Sequence, residues 1–218
     1  MLLLLARHGE TEWNVGKRIQ GWGDSPLTEK GRNQAQALAQ RLNGDNIAAI
    51  YCSNSQRAVD TAQVVSSGRD IPVVQLPDLR EMGWGDWEGK TVAEIEAEDP
   101  ALWSRYIARG HENPAHEESP DWEATTEVPN GETVQAASER IVRALERILR
   151  DHPDDNETVL VVGHGGSLRF FFTHALGLKP RRIRRFQLGN ASLSSILYLK
   201  GHPPVVESIN DTGHHGGE

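Results

Sequence analysis

Two histidines of this chain follow apolar segments, and each has neighbours that suit the binding of a phosphoryl group. His8 comes after the run Leu2–Ala6, with Arg7 before it and Gly9 after it. A glycine lets the backbone approach a ligand closely, and an arginine offers a planar fork of N–H donors that matches phosphate oxygens. The turn at His8 is therefore a candidate phosphate site.

The second histidine, His164, stands among glycines. It follows the apolar run Thr158–Val162 and precedes a predicted helix at Ser167–Leu176. Backbone N–H groups at the start of a helix bind anions, which makes Gly165 a candidate contact.

Two further side chains can reach the same place. Arg57 lies in the first turn of a helix predicted at Gln56–Ser66, and Glu81 ends a predicted loop. Two histidines, two arginines and a carboxylic acid in one crevice predict phosphoryl transfer.

Strands and helices alternate along the chain. Strands are predicted at Leu2–Ala6, Ile47–Cys52, Ile71–Gln75, Thr158–Val162, Leu193–Leu199 and Val205–Ile209. Helices are predicted at Glu29–Leu42, Gln56–Ser66, Thr91–Glu98, Ala101–Ala108, Thr133–Arg150 and Ser167–Leu176. The alternation predicts an α/β fold, with an open, mostly parallel sheet, helices on both faces and one antiparallel edge strand. Ligands of such sheets sit beyond the carboxyl ends of the strands, where both histidines are expected.

The same reading predicts a single domain over residues 1–210. A Pro-, Glu- and Asp-rich stretch at about 103–130 is expected to be an inserted, lid-like segment, since long excursions in compact domains are usually functional or mobile. The polar, Gly-rich residues 211–218 are expected to form a flexible tail.

Charge and cysteine content exclude several classes of function. The net charge of −8 argues against a nucleic-acid or anionic-membrane surface. The single Cys52 excludes an intrachain disulfide and a thiolate metal site, which fits a cytoplasmic protein. The remaining histidines lack the spacing of metal ligands, so neither a metal nor another cofactor is expected.

The ordered motifs resemble a known family. Arg7-His8-Gly9-Glu10-Thr11-Glu12-Trp13-Asn14 resembles the signature of the histidine phosphatase superfamily, in its phosphoglycerate mutase-like branch. Four more segments resemble the family in the same order: Gln20-Gly21 with residues 24–28, residues 53–58 with Thr61-Ala62, residues 79–81 with 85–89, and residues 163–166. The resemblance runs to about residue 212.

The resemblance implies a role for each site residue. His8 would be the nucleophile and form a phosphohistidine, and Glu81 would donate a proton to the leaving oxygen. Arg7, Arg57 and His164 would hold the phosphoryl oxygens. Substrate contacts are expected from Asn14, Gln20, Gly21, Trp22, Met82 and Gly165.

Both phosphatases and mutases belong to this family. A mutase must retain a doubly phosphorylated intermediate, and residues 103–130 carry more acidic than basic side chains, which favours hydrolysis of a small phosphorylated metabolite. The chain is most similar to broad-specificity phosphatases, α-ribazole phosphatases and metal-independent phosphoserine phosphatases. A mutase, a non-catalytic phospholigand-binding module, a metallohydrolase using both histidines and a purely structural domain remain alternatives, as do a monomer and a homodimer.

Overall fold

The sheet is built around the apolar run that opens the chain. The computed structural model describes residues 1–110, 128–180 and 186–216. Its six strands are β1 (Leu2–Arg7), β2 (Ile47–Cys52), β3 (Val73–Gln75), β4 (Thr158–Gly163), β5 (Leu193–Leu197) and β6 (Val205–Asp211). Their order is β3-β2-β4-β1-β5-β6. The first four strands in this order are parallel, β5 is antiparallel to β1, and the edge strand β6 is antiparallel to β5.

Helices cover both faces of this sheet. The helices are α1 (Glu12–Val15), α2 (Glu29–Arg41), α3 (Gln56–Ser66), α4 (Val92–Glu98), α5 (Pro100–Gly110), α6 (Val134–Asp151) and α7 (Gly165–Ala175). Successive side chains of β1 enter different cores, because a strand points its side chains to alternate faces. Leu3 and Leu5 pack with α6 and α7, while Leu4 and Ala6 pack with α2 and α3. No helix within the described ranges is long and apolar enough to cross a membrane.

The predicted fold is confirmed, and most predicted elements lie within two residues of their observed bounds. Thr28 caps α2, accepting a hydrogen bond from the Gly31 N–H at 2.9 Å. The difference with chemical consequences is at α7, which begins at Gly165, two residues before the predicted start.

Regular secondary structure extends into residues 211–215, within the predicted tail. Asp211 is the last residue of β6, and Gly213–His215 form a 3-10 turn. The ring of His214 contacts the Ala191 carbonyl at 2.9 Å through Nε2, which fixes this turn against the loop before β5. Regular structure thus continues past residue 210, and the flexibility of residues 211–218 stays a prediction. Residues 111–127, most of the predicted insertion, lie outside the described residues.

A close backbone contact joins the turn after β1 to the first turn of α2. A Cβ atom at Gly9 would lie 2.3 Å from the Gly31 carbonyl oxygen, and one at Gly31 would lie 2.0 Å from the Glu10 oxygen. Gly9 was expected to admit a ligand, but the immediate reason for glycine here is the approach of α2. The packing of α2 thus fixes the backbone beside His8.

We predict that Gly31→Ala lowers the free energy of unfolding by about 1–3 kcal/mol, because the Glu10 carbonyl has to move. Intrinsic helix propensity alone predicts the opposite sign. Chemical denaturation measures the change, with Gly16→Ala as the control, since the nearest atom to a Cβ there is 3.4 Å away. Equal effects of the two substitutions would contradict the packing argument.

Candidate active site

The two predicted histidines meet because they follow neighbouring strands. Arg7 is paired with Gly163 across β1 and β4, and the His8 N–H donates to the Gly163 carbonyl at 3.0 Å. The rings of His8 and His164 lie edge to face, with their centroids 5.2 Å apart. Both residues are buried, at 2% and 0% exposed.

The hydrogen bond of His8 determines its tautomer. Nδ1 lies 2.7 Å from the Gly9 carbonyl oxygen, which can only accept, so Nδ1 carries the proton. The Nε2 lone pair is therefore available for attack. The Gly9 N–H is bound in turn by Thr61 Oγ1 at 3.1 Å, which holds the carbonyl of this residue in place.

His164 has the opposite tautomer. Its Nδ1 lies 3.2 Å from Arg57 Nε, which can only donate, so the ring proton is on Nε2. That Nε2 is buried and has no hydrogen-bond partner in the described part of the chain. His164 therefore has a neutral, unused N–H donor, on a ring that adjoins the ring of His8.

Burial keeps both rings uncharged. Desolvation is the main cause that lowers the pKa of His8 well below its ordinary 6.5, and the charges of Arg7 and Arg57 lower it further. Desolvation likewise lowers the pKa of His164, followed by the charge of Arg57 and the neighbouring His8. Both imidazoles are thus neutral near pH 7, as a nucleophile and a neutral donor require.

Arg57 donates most of its N–H groups to other residues of the site. Its side chain is 1% exposed. Besides His164, its Nη1 donates to the Gly23 carbonyl at 2.8 Å and to Asp24 Oδ1 at 2.9 Å, and its Nη2 donates to the Gly21 carbonyl at 2.8 Å. Four of its five N–H groups are therefore engaged, and one on Nη2 remains. That one N–H is the group that Arg57 has left for a phosphoryl oxygen, and its contact with phosphate stays a prediction.

Arg7 is better placed to receive phosphoryl oxygens. Its Nη1 donates to the Leu188 carbonyl at 2.8 Å, while its Nε is buried without a partner among residues 1–110, 128–180 and 186–216. Desolvation lowers the pKa of Arg7 to about 10, an effect partly opposed by Glu81, so the guanidinium stays protonated at neutral pH. A buried cationic donor with an unused N–H is suited to an anion.

Glu81 caps the helix that follows His164. Its Oε2 accepts the Gly166 N–H at 2.8 Å, and its Oε1 accepts the N–H groups of Ser167 at 2.9 Å and Met82 at 2.8 Å. The start of α7 was expected to bind the phosphoryl group, but this carboxylate already satisfies two of its N–H groups. The capping also explains why α7 begins at Gly165, whose own N–H donates to no described residue.

Asn14 lies beside His8 with its amide orientation fixed. Its Oδ1 accepts from the Thr11 N–H at 3.2 Å and from Asn190 Nδ2 at 3.0 Å. Since the oxygen is engaged twice, Nδ2 is the group left for a ligand. Asn190 also donates to the His8 carbonyl at 3.2 Å, so one amide supports both residues.

Gln20 and Gly21 both make close contacts within the loop that follows α1. The Gln20 Nε2 group donates to Thr11 Oγ1 and, at 3.1 Å, to Ser25 Oγ, which uses both of its donors. Gly21 has a φ of +55°, and a Cβ there would lie 2.1 Å from Glu88 Oε1. The side-chain amide of Gln20 is thus occupied within the loop, and the substrate contacts expected from Gln20 and Gly21 stay predictions.

Trp22 lies at the rim of the crevice. It is 52% exposed, its Nε1–H donates to the Glu81 carbonyl at 3.0 Å, and the Arg80 guanidinium lies 5.9 Å from its ring centroid. Met82 packs against the core under α6 and α7 instead. Trp22 is therefore the better candidate for contact with a leaving group.

Sequence reasoning missed Arg140, which forms a nearly buried ion pair with Glu132 behind the loop of Glu81. A signal existed for the arginine, because it lies three residues after Ala137, within the apolar stripe of α6. No group of three or more His, Cys, Asp and Glu side chains that could hold a metal ion occurs in the described ranges.

We predict that acid destabilises the protein through these histidines. Because folding lowers the pKa of His164 below the ordinary 6.5, stability is complete above that pH and is lost as the pH falls. Replacing His164 by Gln should reduce the loss of unfolding free energy between pH 7 and pH 5 by about 2 kcal/mol. Urea denaturation at both pH values measures it, with exposed His174→Gln as the control. An unchanged loss in His164→Gln would contradict the assignment.

The family model described as Histidine phosphatase superfamily (branch 1) matches residues 3–212. A Cronobacter sakazakii protein named "Probable phosphoglycerate mutase GpmB" is 36% identical over 214 residues, which cover 96% of this chain and 93% of that protein.

Two solved structures are similar throughout. Bacillus stearothermophilus YhfR has a TM-score of 0.83 at 37% identity, with 98% of each chain covered. The alpha-ribazole phosphatase from Shigella flexneri also has a TM-score of 0.83, at 30% identity, with 97% of this chain and 96% of its own covered. With the family model spanning almost the whole length, this chain belongs to the histidine phosphatase superfamily, branch 1.

Proposed function

We propose that this chain is a phosphomonoester hydrolase that forms a covalent phosphohistidine on His8 and passes the phosphoryl group to water. The observation that carries the proposal is the pair of opposite tautomers. His8 presents an Nε2 lone pair, and His164 presents an Nε2–H donor with no described partner beside it. A nucleophile next to an unused, buried donor is suited to attack on an anionic phosphoryl group.

In the first step His8 Nε2 forms a bond to phosphorus as the bond to the leaving oxygen breaks. The proton on Nδ1 stays in place, so the phosphorylated ring is cationic and the Gly9 carbonyl stabilises it. Arg7, His164 and the amide of Asn14 offer donors to the phosphoryl oxygens.

Glu81 supplies the proton for this step. Its carboxyl donates to the leaving oxygen, which departs as an alcohol, and the resulting carboxylate then accepts a proton from the attacking water. The new oxygen–phosphorus bond forms as the bond to Nε2 breaks, which restores His8. Because both oxygens of Glu81 accept backbone N–H groups, the carboxyl has to exchange one of these contacts for the leaving group.

The names of the relatives do not choose between hydrolysis and mutase activity. The Cronobacter sakazakii relative is named as a mutase and the Shigella flexneri structure as a phosphatase. A mutase has to hold a second phosphate group, whereas residues 103–130 of this chain have six acidic side chains between 112 and 127 but only Arg105 and Arg109 as arginines. We favour water as the acceptor for this reason, with a small phosphorylated metabolite as the substrate.

A screen over phosphomonoesters tests this proposal. We predict release of inorganic phosphate by the wild-type chain, and a fall in kcat/KM of at least about 10³-fold in His8→Asn. Excess chelator should leave the rate unchanged, because side chains supply the nucleophile, the cations and the acid.

The same preparation is assayed for phosphoglycerate mutase activity. Mutase turnover faster than hydrolysis of every ester would overturn the choice of water, and retention of full activity in His8→Asn would overturn the proposal as a whole. A metallohydrolase would instead lose activity in chelator.

A further inference from the structure

The loop that carries Glu81 is held from behind by one buried arginine. Arg140, on α6, is 8% exposed. Its Nη1 donates to the carbonyls of Asp78 at 2.9 Å and Arg80 at 2.7 Å, and its Nη2 donates to the carbonyl of Glu81 itself at 2.8 Å. Three carbonyls within four residues are thus bound by a single side chain.

A carboxylate completes this arrangement. Arg140 Nε and Nη2 donate to the two oxygens of Glu132, each at 2.7 Å, so all five N–H groups of the arginine are used. Glu132 Oε2 also accepts the Gly83 N–H at 3.1 Å, and the Glu132 N–H donates to the Gly83 carbonyl at 2.8 Å. The backbone is therefore fixed on both sides of Glu81.

Stability alone explains this pair poorly. Desolvating two charges offsets much of their attraction, so a buried ion pair is weak support for a purely stabilising role. What the pair does achieve is geometric, since a bidentate arginine fixes both position and orientation. The residue at the centre of the fixed segment is the one that must reach a leaving oxygen.

We propose that Arg140 and Glu132 are positioning residues for Glu81, and that they set the efficiency of proton delivery to the leaving group. The proposal rests on the function proposed above. Both side chains are hydrogen-bonded to the backbone of residues 78–83, and through it they would position Glu81. A displacement of about 1 Å at a catalytic group can cost about 10²-fold in rate.

A positioning role and a merely structural role give different results with different leaving groups. A weakly basic leaving oxygen departs without a proton, whereas an alkoxide needs one. Misplacement of Glu81 therefore slows alkyl phosphates selectively, while loss of folded protein slows all substrates equally. The ratio of kcat/KM for an alkyl phosphate and an aryl phosphate isolates the effect.

The experiment compares glycerol phosphate with 4-nitrophenyl phosphate in the wild-type chain, Glu132→Gln and Glu81→Gln. Glu132→Gln should lower kcat/KM for glycerol phosphate at least about tenfold, and should change it for 4-nitrophenyl phosphate less than about threefold. The double variant Glu81→Gln/Glu132→Gln should have the same kcat/KM for glycerol phosphate as Glu81→Gln alone. Glu139→Gln is the matched control, because this glutamate adjoins Arg140 on α6 but is exposed and bonded to Gln135.

Equal losses on both substrates, or the same selectivity in Glu139→Gln, would overturn the inference. If Glu132→Gln does not fold, Arg140→Lys, which keeps the charge but loses the fork, is judged by the same ratio. If the kcat/KM ratio of the two esters does not change but hydrolysis by the wild type depends on His8, the inference fails and the proposed function stands. Absence of wild-type hydrolysis of both esters would overturn both proposals.

Discussion

The hydrogen bond between His8 Nδ1 and the Gly9 carbonyl, 2.7 Å long, decides which nitrogen of His8 can attack. A neutral imidazole has one proton, and a carbonyl acceptor fixes it on the nearer nitrogen. The carbonyl is itself held, since the Gly9 N–H is bound by Thr61 and α2 approaches this turn closely enough to exclude a Cβ. The tautomer of His8, the proposed nucleophile, thus depends on the packing of α2.

In His164 a hydrogen bond also fixes the tautomer, but it places the proton on the other ring nitrogen. There Arg57 approaches Nδ1 as an obligatory donor, which places the proton on Nε2. Arg57 also binds the carbonyls of Gly21 and Gly23, so the loop at residues 21–24 and the second histidine share one support. Burial and two arginines keep both rings neutral by lowering their pKa values. One crevice therefore contains a base and a donor made from the same residue type.

Glu81, the proposed proton donor, is held in place by other elements, α6 and α7. Glu81 binds the first turn of α7, the helix that begins directly after His164, while Arg140 and Glu132 fix its backbone from α6. The proposed nucleophile and the proposed acid are consequently supported by separate elements that meet at the ends of β1 and β4. This separation is what allows a variant to impair proton delivery without altering the nucleophile.

Much of this arrangement could be predicted from local sequence. The apolar runs before His8 and His164 predict buried strands, and parallel strands bring such residues to one edge of the sheet. Contacts between distant segments could not be predicted in the same way. The engagement of Arg57 by loop carbonyls and the need for glycine at position 9 depend on packing that no local pattern encodes. Arg140 could be noticed as a charge within an apolar stripe, but the three backbone carbonyls that it binds are about sixty residues away.

The position of the phosphoryl group on His8 tests this account most directly. The wild-type chain, labelled with ¹⁵N-histidine, is reacted briefly with a rapidly cleaved aryl phosphate and quenched in base, and the phosphohistidine is examined by ³¹P–¹⁵N correlation NMR. The hydrogen bond to Gly9 predicts phosphorus bonded to Nε2 of His8, with no such signal in His8→Asn. Phosphorus on Nδ1, or on another residue, would contradict the account.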